Sequence, residues 1–290
     1  MRILIIGSEG YIGKNLNLAH KNNGDDVFLL SSQNKTGIDH DLGIFISDVD
    51  IPVNTDIVYF LSQSPFYRDV PEKFSHLLSV NCVSALQAAE ASRKSGVKTF
   101  IYASTGNVYE DSYFPLSEKS PTRSDNFYAS SKIIAEDTLN LYRPYFNIVC
   151  TRIFGVYGPA QKDKLIPTLI HRVRSNSSIS IDKTDINDLD MGGLKISLIY
   201  IDDLIESLIK ISQLDSPPKI VNIAGNEVLS IRNIVEQISL NIDIPVNFNI
   251  TEKIRSSNLI ADNSLLTSLV DIKFKSFSDG IKTILKEDKC

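Results

Sequence analysis

Met1-Arg-Ile-Leu-Ile-Ile-Gly7-Ser-Glu-Gly10-Tyr-Ile-Gly13 opens the sequence, and this stretch decides the fold. A short, continuous apolar run that ends at a glycine is typical of a buried strand in a parallel sheet. Glycines permit a tight turn and a close approach of the backbone to a ligand, and free N–H groups at a helix start attract phosphate. The stretch therefore predicts a strand, a phosphate-binding turn and a helix.

Apolar runs and helical patterns alternate along the next part of the chain. Buried strands are predicted at Val27–Leu30, Asp56–Leu61, Lys98–Ala103 and Asn147–Ile153. Helical spacing of apolar residues predicts helices at Gly13–Asn23, Phe74–Ser95 and Tyr128–Tyr142. This alternation indicates βαβ units, and right-handed crossovers between them give an α/β fold with a Rossmann-like, doubly wound parallel sheet.

The pattern changes after Gly158-Pro159. We therefore predict a dinucleotide-binding domain over residues 1–158 and a smaller, mainly substrate-binding domain over 159–290, with residues 196–224 returning to the first domain. Later helices are predicted at Leu165–Arg174, Leu204–Gln213, Ser230–Asn241 and Gly280–Lys286, and strands at Ile196–Ile201 and Lys219–Ile223. The polar segment Ser175–Gly193 predicts a mobile surface loop.

The composition excludes several classes of protein. Of the 290 residues 42% are hydrophobic, which supplies a buried core and argues against disorder. The net charge of −5 gives no basic footprint for nucleic acid or anionic lipid. Apolar runs stop well short of the ~20 residues that span a bilayer. The three cysteines (Cys82, Cys150 and Cys290) are too widely spaced to suggest a disulfide framework or a metal site. With no signal peptide in the N-terminal pattern, we expect a cytoplasmic protein.

The end of the second predicted strand bears on the choice of cofactor. An acidic residue at this place binds the adenosine ribose and repels a 2′-phosphate. Here the chain has Ser31-Ser32, with Lys35 close by and no carboxylate. This favours NADP(H) slightly over NAD(H), although a serine also hydrogen-bonds a free ribose.

Two further patterns bring acid–base groups to the site. Tyr128 and Lys132 lie four residues apart at the start of a predicted helix and so share one face. A free tyrosine has a pKa of about 10, and a neighbouring ammonium with a cationic nicotinamide lowers that pKa. The tyrosine then exchanges a proton with a sugar hydroxyl or ketone while hydride moves to or from the cofactor. The hydroxyls of Ser104 and Thr105 end a predicted strand, at the edge where open sheets bind ligands.

In this order, the glycine turn, Ser104-Thr105, Tyr128-x-x-x-Lys132 and Val156-Tyr-Gly-Pro159 resemble the extended short-chain dehydrogenase/reductases. This family contains nucleotide-sugar epimerases, dehydratases and reductases. The resemblance covers nearly the whole chain. Asp56–Ser62 is similar to the family's fourth strand, Val97–Ser104 to its fifth, and Ile199–Asp203 to its later Asp-Asp element.

The resemblance implies a role for each site residue. Tyr128 is implied as the acid/base, Lys132 as the ligand of the nicotinamide ribose that also tunes Tyr128, and Thr105 as the hydrogen-bond partner of the reacting oxygen. The implied cofactor contacts are Gly7, Gly10, Tyr11, Ile12, Gly13, Ser31, Ser32, Lys35, Asp41, Leu42, Leu61, Ser62, Tyr128 and Lys132. Within this set the three glycines hold the pyrophosphate, and Asp41-Leu42 contacts adenine.

The resemblance also implies a substrate-binding set, and it implies no metal. That set is Ser64, Thr105, Gln161, Leu165, Ile166 and Arg255. Arg255 matches the late arginine that pairs with the diphosphate of the substrate, the alternative being a solvated surface arginine. Ser62–Phe66 and the loop Ser175–Gly193 are expected to help select the sugar. Asp202 and Asp203 are expected to cap a helix and to pack the domains together.

Departures from the family pattern reduce the number of reactions that the site residues can catalyse. Family 4,6-dehydratases carry Asp-Glu where this chain has Gly106-Asn107, so dehydration has no catalyst, and the cysteine of the 3,5-epimerase/reductases is absent at Asn107. Reduction of a 4-keto-6-deoxy sugar nucleotide by a dissociating NADPH and 4-epimerisation with tightly bound NAD both remain. The sequence favours the reductase narrowly. A remote alternative is a non-catalytic dinucleotide sensor. The helices Phe74–Ser95 and Tyr128–Tyr142 are candidates for a homodimer interface, as in relatives that pair through a helix bundle.

Overall fold

The computed structural model describes residues 1–32, 37–184 and 191–287. In chain order its strands are β1 (Arg2–Ile6), β2 (Asp26–Leu30), β3 (Ile57–Phe60), β4 (Thr99–Thr105), β5 (Asn147–Ile153), β6 (Gly155–Tyr157), β7 (Ile179–Thr184), β8 (Lys195–Tyr200), β9 (Ile220–Ile223), β10 (Val228–Ser230) and β11 (Phe248–Arg255). Its helices are α1 (Tyr11–Asn22), α2 (Phe74–Leu78), α3 (Ser84–Lys94), α4 (Phe127–Asn140), α5 (Leu165–Arg174), α6 (Ile201–Ser212), α7 (Ile231–Ile242), α8 (Ser264–Leu269) and α9 (Phe277–Glu287). A π turn joins α2 to α3, and a 3-10 turn follows β4.

Six parallel strands form the main sheet, in the order β2-β1-β3-β4-β5-β9. This confirms the predicted α/β fold with a parallel sheet. The chain crosses from β2, on one side of β1, to β3 on the other, so the winding direction reverses at β1. Open α/β sheets bind ligands beyond the carboxyl ends of their strands at such a reversal. The glycine turn leaves β1 at this point.

Both faces of the sheet are buried, which explains why its strands have continuous apolar runs rather than alternating ones. Ile3, Ile5 and Tyr59 face one core, which also contains Leu16 of α1. Leu4 and Phe60 face the other core. Helix α6 packs against α1 on the first face, while α3 and α4 pack together on the second.

Smaller sheets form beside the main one. β8 pairs antiparallel with β10 and parallel with β6, and β11 pairs parallel with β7. Of the residues 196–224, β9 lies in the main sheet, α6 packs on α1, and β8 lies in the three-stranded sheet. The division of the chain into domains at residue 158 stays a prediction. Asp202 and Asp203 lie in the first turn of α6, whose N-cap is Tyr200 without a side-chain hydrogen bond, so the expectation that they cap the helix is wrong. The Asp203 carboxylate accepts the Lys275 N–H at 2.8 Å instead.

The prediction of a mobile loop at Ser175–Gly193 is wrong for residues 179–184, which form β7. Ile179 and Ile181 are buried, and they alternate with the polar residues Ser180 and Asp182. The strand is stabilised by pairing with β11, far along the chain, which a local polarity pattern does not reveal. Residues 185–190 of the same segment lie outside the described part of the chain.

Residues 37–56, between β2 and β3, contain no strand. Ile38, Phe45 and Ile51 on this segment are buried in the core on the second face. β2 is therefore an edge strand. The segment Asp56–Ser62, which resembles the family's fourth strand, supplies the third strand among the described residues.

The Tyr59 hydroxyl lies in a polar chain that links β3, α1 and α6, and Tyr59, His20 and Ser212 are buried in it. It is 3.2 Å from His20 Nε2 and 2.8 Å from Ser212 Oγ, and His20 Nδ1 lies 2.7 Å from the Asp25 carboxylate. We expect Tyr59→Phe to lower the free energy of unfolding by about 1–3 kcal/mol, because it leaves two buried polar groups without this partner. Urea denaturation measures the loss. Tyr145→Phe, at a side chain that is 68% exposed, is the matched control and should leave the unfolding curve unchanged.

Candidate active site

A cavity of about 1400 Å³ lies beyond the carboxyl ends of β1, β3, β4 and β5. Its opposite wall includes Ile196 and Leu198 of β8 and Val156 of β6. The cavity therefore lies between the main sheet and the three-stranded sheet, at the edge where an open α/β sheet binds its ligand.

The glycine turn forms one end of this cavity. Gly7 N–H and Ser8 N–H donate to the Leu30 carbonyl, with N···O distances of 2.9 and 3.3 Å, so β1 and β2 end side by side. A Cβ on Gly13 would fall 2.4 Å from the Gly7 carbonyl oxygen, so no larger residue fits without a shift of the backbone. Helix α1 begins directly after Gly10, with no side-chain cap and no acidic residue in its first turn. This close, uncapped helix start fits the pyrophosphate of a dinucleotide.

Thr105 and Tyr128 meet in the wall of the cavity. Thr105 ends β4, and Tyr128 lies in the first turn of α4, whose start is fixed by the Asn126 side chain accepting the Ala129 N–H at 3.0 Å. The Tyr128 hydroxyl donates to Gln63 Oε1 at 3.1 Å. Burial raises the pKa of Tyr128 to about 12, against a hydrogen bond with the Thr105 hydroxyl that lowers it. In this state Tyr128 is a phenol at neutral pH.

Lys132 lies one turn further along α4 and is buried. Its Nζ donates to the Ala103 carbonyl at 2.8 Å and lies 4.7 Å from the centre of the Tyr102 ring. Burial lowers the pKa of Lys132 to about 7, and the negative charge of Glu136 opposes this change. A cation bound at this place needs such a carboxylate to remain charged.

A buried ion pair lies behind Lys132. Arg152 Nη2 is 2.6 Å from Glu136 Oε2, Arg152 Nε also donates to Glu136, and Ser104 donates its hydroxyl to the same carboxylate. The Arg152 guanidinium stacks over the Tyr109 ring at 4.7 Å. This network joins β4, α4 and β5 directly behind the residues that face the cavity.

The structure brings twelve of the predicted site residues together in the cavity lining. They are Gly7, Gly10, Tyr11, Ile12, Gly13, Leu61, Thr105, Tyr128, Lys132, Gln161, Leu165 and Ile166. Their individual roles stay predictions. The shared position at one cavity follows from the topology, because the loops after β1, β3 and β4 and the N-termini of α1 and α4 all lie at one edge of the sheet.

Four predicted residues are absent from that lining and lie in the loops after β2 and β3. Ser62 packs against Gly7, where a Cβ would fall 2.7 Å from the Ser62 nitrogen. Ser64 is buried, with its Oγ 2.9 Å from His76 Nδ1. The side chains of Asp41 and Leu42 are exposed on the loop that follows β2.

The remaining predicted residues lie at the ends of β2 and β11. Ser31 is buried and Ser32 is exposed directly after β2, and Lys35 lies outside the described residues. Arg255 ends β11, is 8% exposed and donates to the Asp182 carbonyl at 3.2 Å. Its burial excludes the alternative of a solvated surface arginine. Arg255 is absent from the cavity lining, and its contact with a diphosphate stays a prediction.

Sequence reasoning missed several residues that line the cavity. Tyr67 has its ring centre 5.9 Å from that of Tyr128, and its hydroxyl accepts from Lys164 Nζ at 3.2 Å. Arg123 also lines the cavity and is paired with Asp111 and Asp125. None of these residues belongs to a motif. The only signal was their place in the loops after the strands.

The carboxylates of the described cavity lining are Glu9 and Glu287. Glu9 lies in the glycine turn, and the pKa of Tyr11 is raised by burial and by the negative charge of Glu287, so both carboxylates lie at the end of the cavity that the glycine turn forms. Gly106 and Asn107 line it beside Thr105, where a dehydratase needs an acid and a base. Among the described residues no group of His, Cys, Asp or Glu is arranged to hold a metal, and no described helix meets the length and hydropathy of a membrane span.

Comparison with known proteins gives three findings. The sequence profile of the NAD dependent epimerase/dehydratase family matches residues 3–224. The dTDP-D-glucose 4,6-dehydratase of Mus musculus is 31% identical over 55% of this chain, and the chain spans 44% of that protein's length, as it does for the bovine enzyme. The protein YtcB of Bacillus subtilis, described as an uncharacterized UDP-glucose epimerase, is 27% identical over 82% of both chains.

A solved structure with the same fold is the UDP-glucuronic acid 4-epimerase from Bacillus cereus in complex with UDP-glucuronic acid and NAD. The TM-score is 0.79 at 23% identity, and the alignment covers 100% of this chain and 99% of the other. At this identity the likeness establishes the fold.

We expect Gly13→Ala to weaken the binding of NAD⁺ and NADP⁺ by about tenfold or more, or ~1.4 kcal/mol. The added Cβ pushes α1 away from the Gly7 carbonyl and moves the N–H groups of its first turn. Isothermal titration calorimetry measures both affinities. Gly24→Asn is the control, because Gly24 has a positive φ that Asn tolerates and nothing lies within 4 Å of its Cβ position. An unchanged affinity in Gly13→Ala would contradict the assignment of this turn to the cofactor.

Proposed function

The chain belongs to the NAD dependent epimerase/dehydratase family, and we propose that it is an oxidoreductase that acts on a sugar carbon of a nucleotide-diphosphate sugar. The observation that supports this most directly is the pairing of Thr105 and Tyr128 in the same cavity as the glycine turn. The turn holds the cofactor at one end, and the hydroxyl pair holds the reacting oxygen at the other. The nicotinamide supplies the hydride chemistry when bound.

Three side chains of the site take part in proton transfer, each with a different role. Thr105 orients the oxygen of the reacting carbinol or ketone by a hydrogen bond. Tyr128 takes the proton from that oxygen on oxidation and returns it on reduction. Lys132, held by Ala103 and Tyr102, places a positive charge one helical turn from Tyr128 and favours the phenolate. With a cationic nicotinamide bound, the pKa of Tyr128 would be lowered further from its high value in the structure.

We propose 4-epimerisation with bound NAD as the net reaction. Two relatives that cover most of the chain carry epimerase names. YtcB of B. subtilis is described as an uncharacterized UDP-glucose epimerase, and the Methanocaldococcus jannaschii protein, 26% identical over 81% of this chain, as a putative UDP-glucose 4-epimerase. Oxidation and re-reduction of one carbon need a single proton shuttle. The described lining offers Tyr128 for that role and places no carboxylate beside Thr105.

Reduction of a 4-keto-6-deoxy sugar nucleotide by NADPH is the second candidate, and the end of β2 supports it. Ser31 and Ser32 follow the strand, where an acidic residue would select NAD. Asp39, the first carboxylate in the described loop that follows, already accepts the N–H groups of Asp41 and Leu42 at 3.0 and 2.8 Å. Such a site admits the 2′-phosphate of NADP.

One pair of assays separates these reactions. Protein supplemented with NAD⁺ is incubated with UDP-glucose and with UDP-glucuronic acid, and NMR follows the appearance of the C4 epimers. In parallel, NADPH oxidation is followed with a nucleotide 4-keto-6-deoxy sugar. Epimer formation supports the first proposal, and steady NADPH oxidation replaces it by the second. Failure of both, with intact dinucleotide binding, points to the non-catalytic sensor.

We expect Tyr128→Phe to lower kcat by about 10²-fold or more, because it removes the proton shuttle. The dissociation constants of NAD⁺ and NADP⁺ should stay within about twofold of wild type, because the glycine turn is untouched. Tyr145→Phe serves as the control, and full activity in Tyr128→Phe would end the assignment of Tyr128 as acid/base.

We further propose that the protein forms a homodimer through α3 and α4. Phe127, Ile134 and Leu141 recur every seven residues along α4 and its end, and they are 43%, 42% and 71% exposed. Val83, beside α3, is 44% exposed. Two copies of such a stripe bury each other in a helix bundle.

Ile134→Glu should convert the dimer into a monomer, because it places a charge in the centre of the stripe. Light scattering coupled to size-exclusion chromatography measures the mass. Leu240→Glu, at an 82% exposed position on α7, adds the same charge elsewhere and should leave the mass unchanged. A wild-type protein that is monomeric at all concentrations would rule the interface out.

A further inference from the structure

Gln63 lies on the loop after β3, between two anchored residues. On one side Ser62 packs against the glycine turn, at the 2.7 Å approach to Gly7 described above. On the other side Ser64 is 1% exposed, lies 2.9 Å from His76 Nδ1 and accepts the Phe66 N–H at 3.2 Å. The backbone of Gln63 is thereby fixed, and its exposed side chain lines the cavity.

The amide of Gln63 contacts the reactive phenol directly. The Tyr128 hydroxyl donates to Gln63 Oε1 at 3.1 Å, while the hydrogen bond of Lys132 runs to the Ala103 carbonyl. Tyr128 therefore lies between two uncharged partners, Thr105 and Gln63.

A primary amide suits a group that alternates between two protonation states. Its oxygen accepts from the phenol, and after rotation of the amide its NH₂ group donates to the phenolate. The hydrogen bond to an ionised acceptor is the stronger of the two, so the amide favours the phenolate on balance. An amide does not titrate, and its effect is therefore the same at every working pH.

We propose that Gln63 is a positioning residue for the proton shuttle, holding the Tyr128 oxygen beside Thr105 and stabilising its phenolate. This inference rests on the proposed role of Tyr128 as the acid/base. Gln63 acts through Tyr128 rather than on the sugar, and the anchors at Ser62 and Ser64 set the direction in which its amide points.

Other charged groups around Tyr128 come from three elements. Lys132 lies on α4, Lys164 reaches the Tyr67 hydroxyl from the start of α5, and Arg123 lines the cavity ahead of α4 with its two aspartate partners. The groups that hydrogen-bond to the phenol itself, Gln63 and Thr105, are neutral. A carboxylate at position 63 would be an anion in hydrogen-bond reach of Tyr128, and it would raise the pKa of that tyrosine.

The kinetic test uses Gln63→Met, which keeps the length of the side chain without its hydrogen bonds, and Gln63→Glu, which adds a charge. We expect the pH midpoint of kcat/KM that belongs to Tyr128 to rise by about half a unit in Gln63→Met and by about one unit or more in Gln63→Glu. The value of kcat at neutral pH should fall about tenfold in Gln63→Glu, with cofactor affinity unchanged. Gln213→Glu adds the same charge at an exposed position after α6 and should reproduce the wild-type profile.

A second measurement needs no sugar turnover. Protein labelled with [¹³Cζ]tyrosine and saturated with NAD⁺ is titrated by NMR across its stable pH range, and Tyr128→Phe identifies the Tyr128 resonance. A titration displaced to higher pH in Gln63→Glu supports the inference even when no substrate is turned over, so that failure of the proposed reaction is seen separately. A Tyr128 resonance that behaves alike in wild type and Gln63→Glu overturns it, as does a wild-type pH profile in both variants.

Discussion

The close approach of α1 to the end of β1 is the constraint on which the rest of the structure depends. Gly13 lies so near the Gly7 carbonyl and Ser8 that a side chain at this position would collide with backbone atoms. The N–H groups of the same turn donate to the Leu30 carbonyl at the end of β2, and the Ser62 backbone after β3 packs against Gly7. Three strand ends are thereby drawn to one point, and the helix start is left open toward the cavity.

The opposite end of the cavity is organised by buried charge. Lys132 is held on β4 by the Ala103 carbonyl, and Glu136 and Arg152 pair directly behind it. A buried ion pair is costly unless its hydrogen bonds are satisfied. Ser104 donates its hydroxyl to the Glu136 carboxylate, and the Tyr109 ring covers the Arg152 guanidinium. The Tyr109 hydroxyl in turn donates to Asn222 Oδ1 on β9 at 2.6 Å. The site is thus fastened to four elements of the main sheet and its helices.

Local patterns predicted the elements that are stabilised by local burial. The continuous apolar runs of the main sheet placed its strands to within a few residues, and α5 has the predicted bounds because its apolar spacing is regular. The pairing of β7 with β11 was missed, because it joins segments about 70 residues apart and more than half of each strand is polar. The short strands β6 and β10 have too few residues for a periodic signal.

In the candidate site too, residues in local motifs were predicted and residues placed by distant contacts were missed. Thr105, Tyr128 and Lys132 were found because they occur in motifs that follow a strand or begin a helix. Gln63 lay within a range named only as substrate-selecting, and its contact with Tyr128 depends on how Ser62 and Ser64 anchor their loop. Ser64 itself points to His76, since a buried hydroxyl needs a partner that the sequence does not reveal.

The course of residues 37–56 affects how such a site changes in evolution. A strand in this place would be tied to its neighbour by a ladder of backbone hydrogen bonds, and each insertion would disturb the sheet. A loop held by apolar side chains and by a few hydrogen bonds, such as those between Phe45 and Gln87, tolerates changes in length and sequence better than a strand does. Changes within residues 37–56 should therefore leave Thr105, Tyr128 and Lys132 in place, because those side chains belong to β4 and α4.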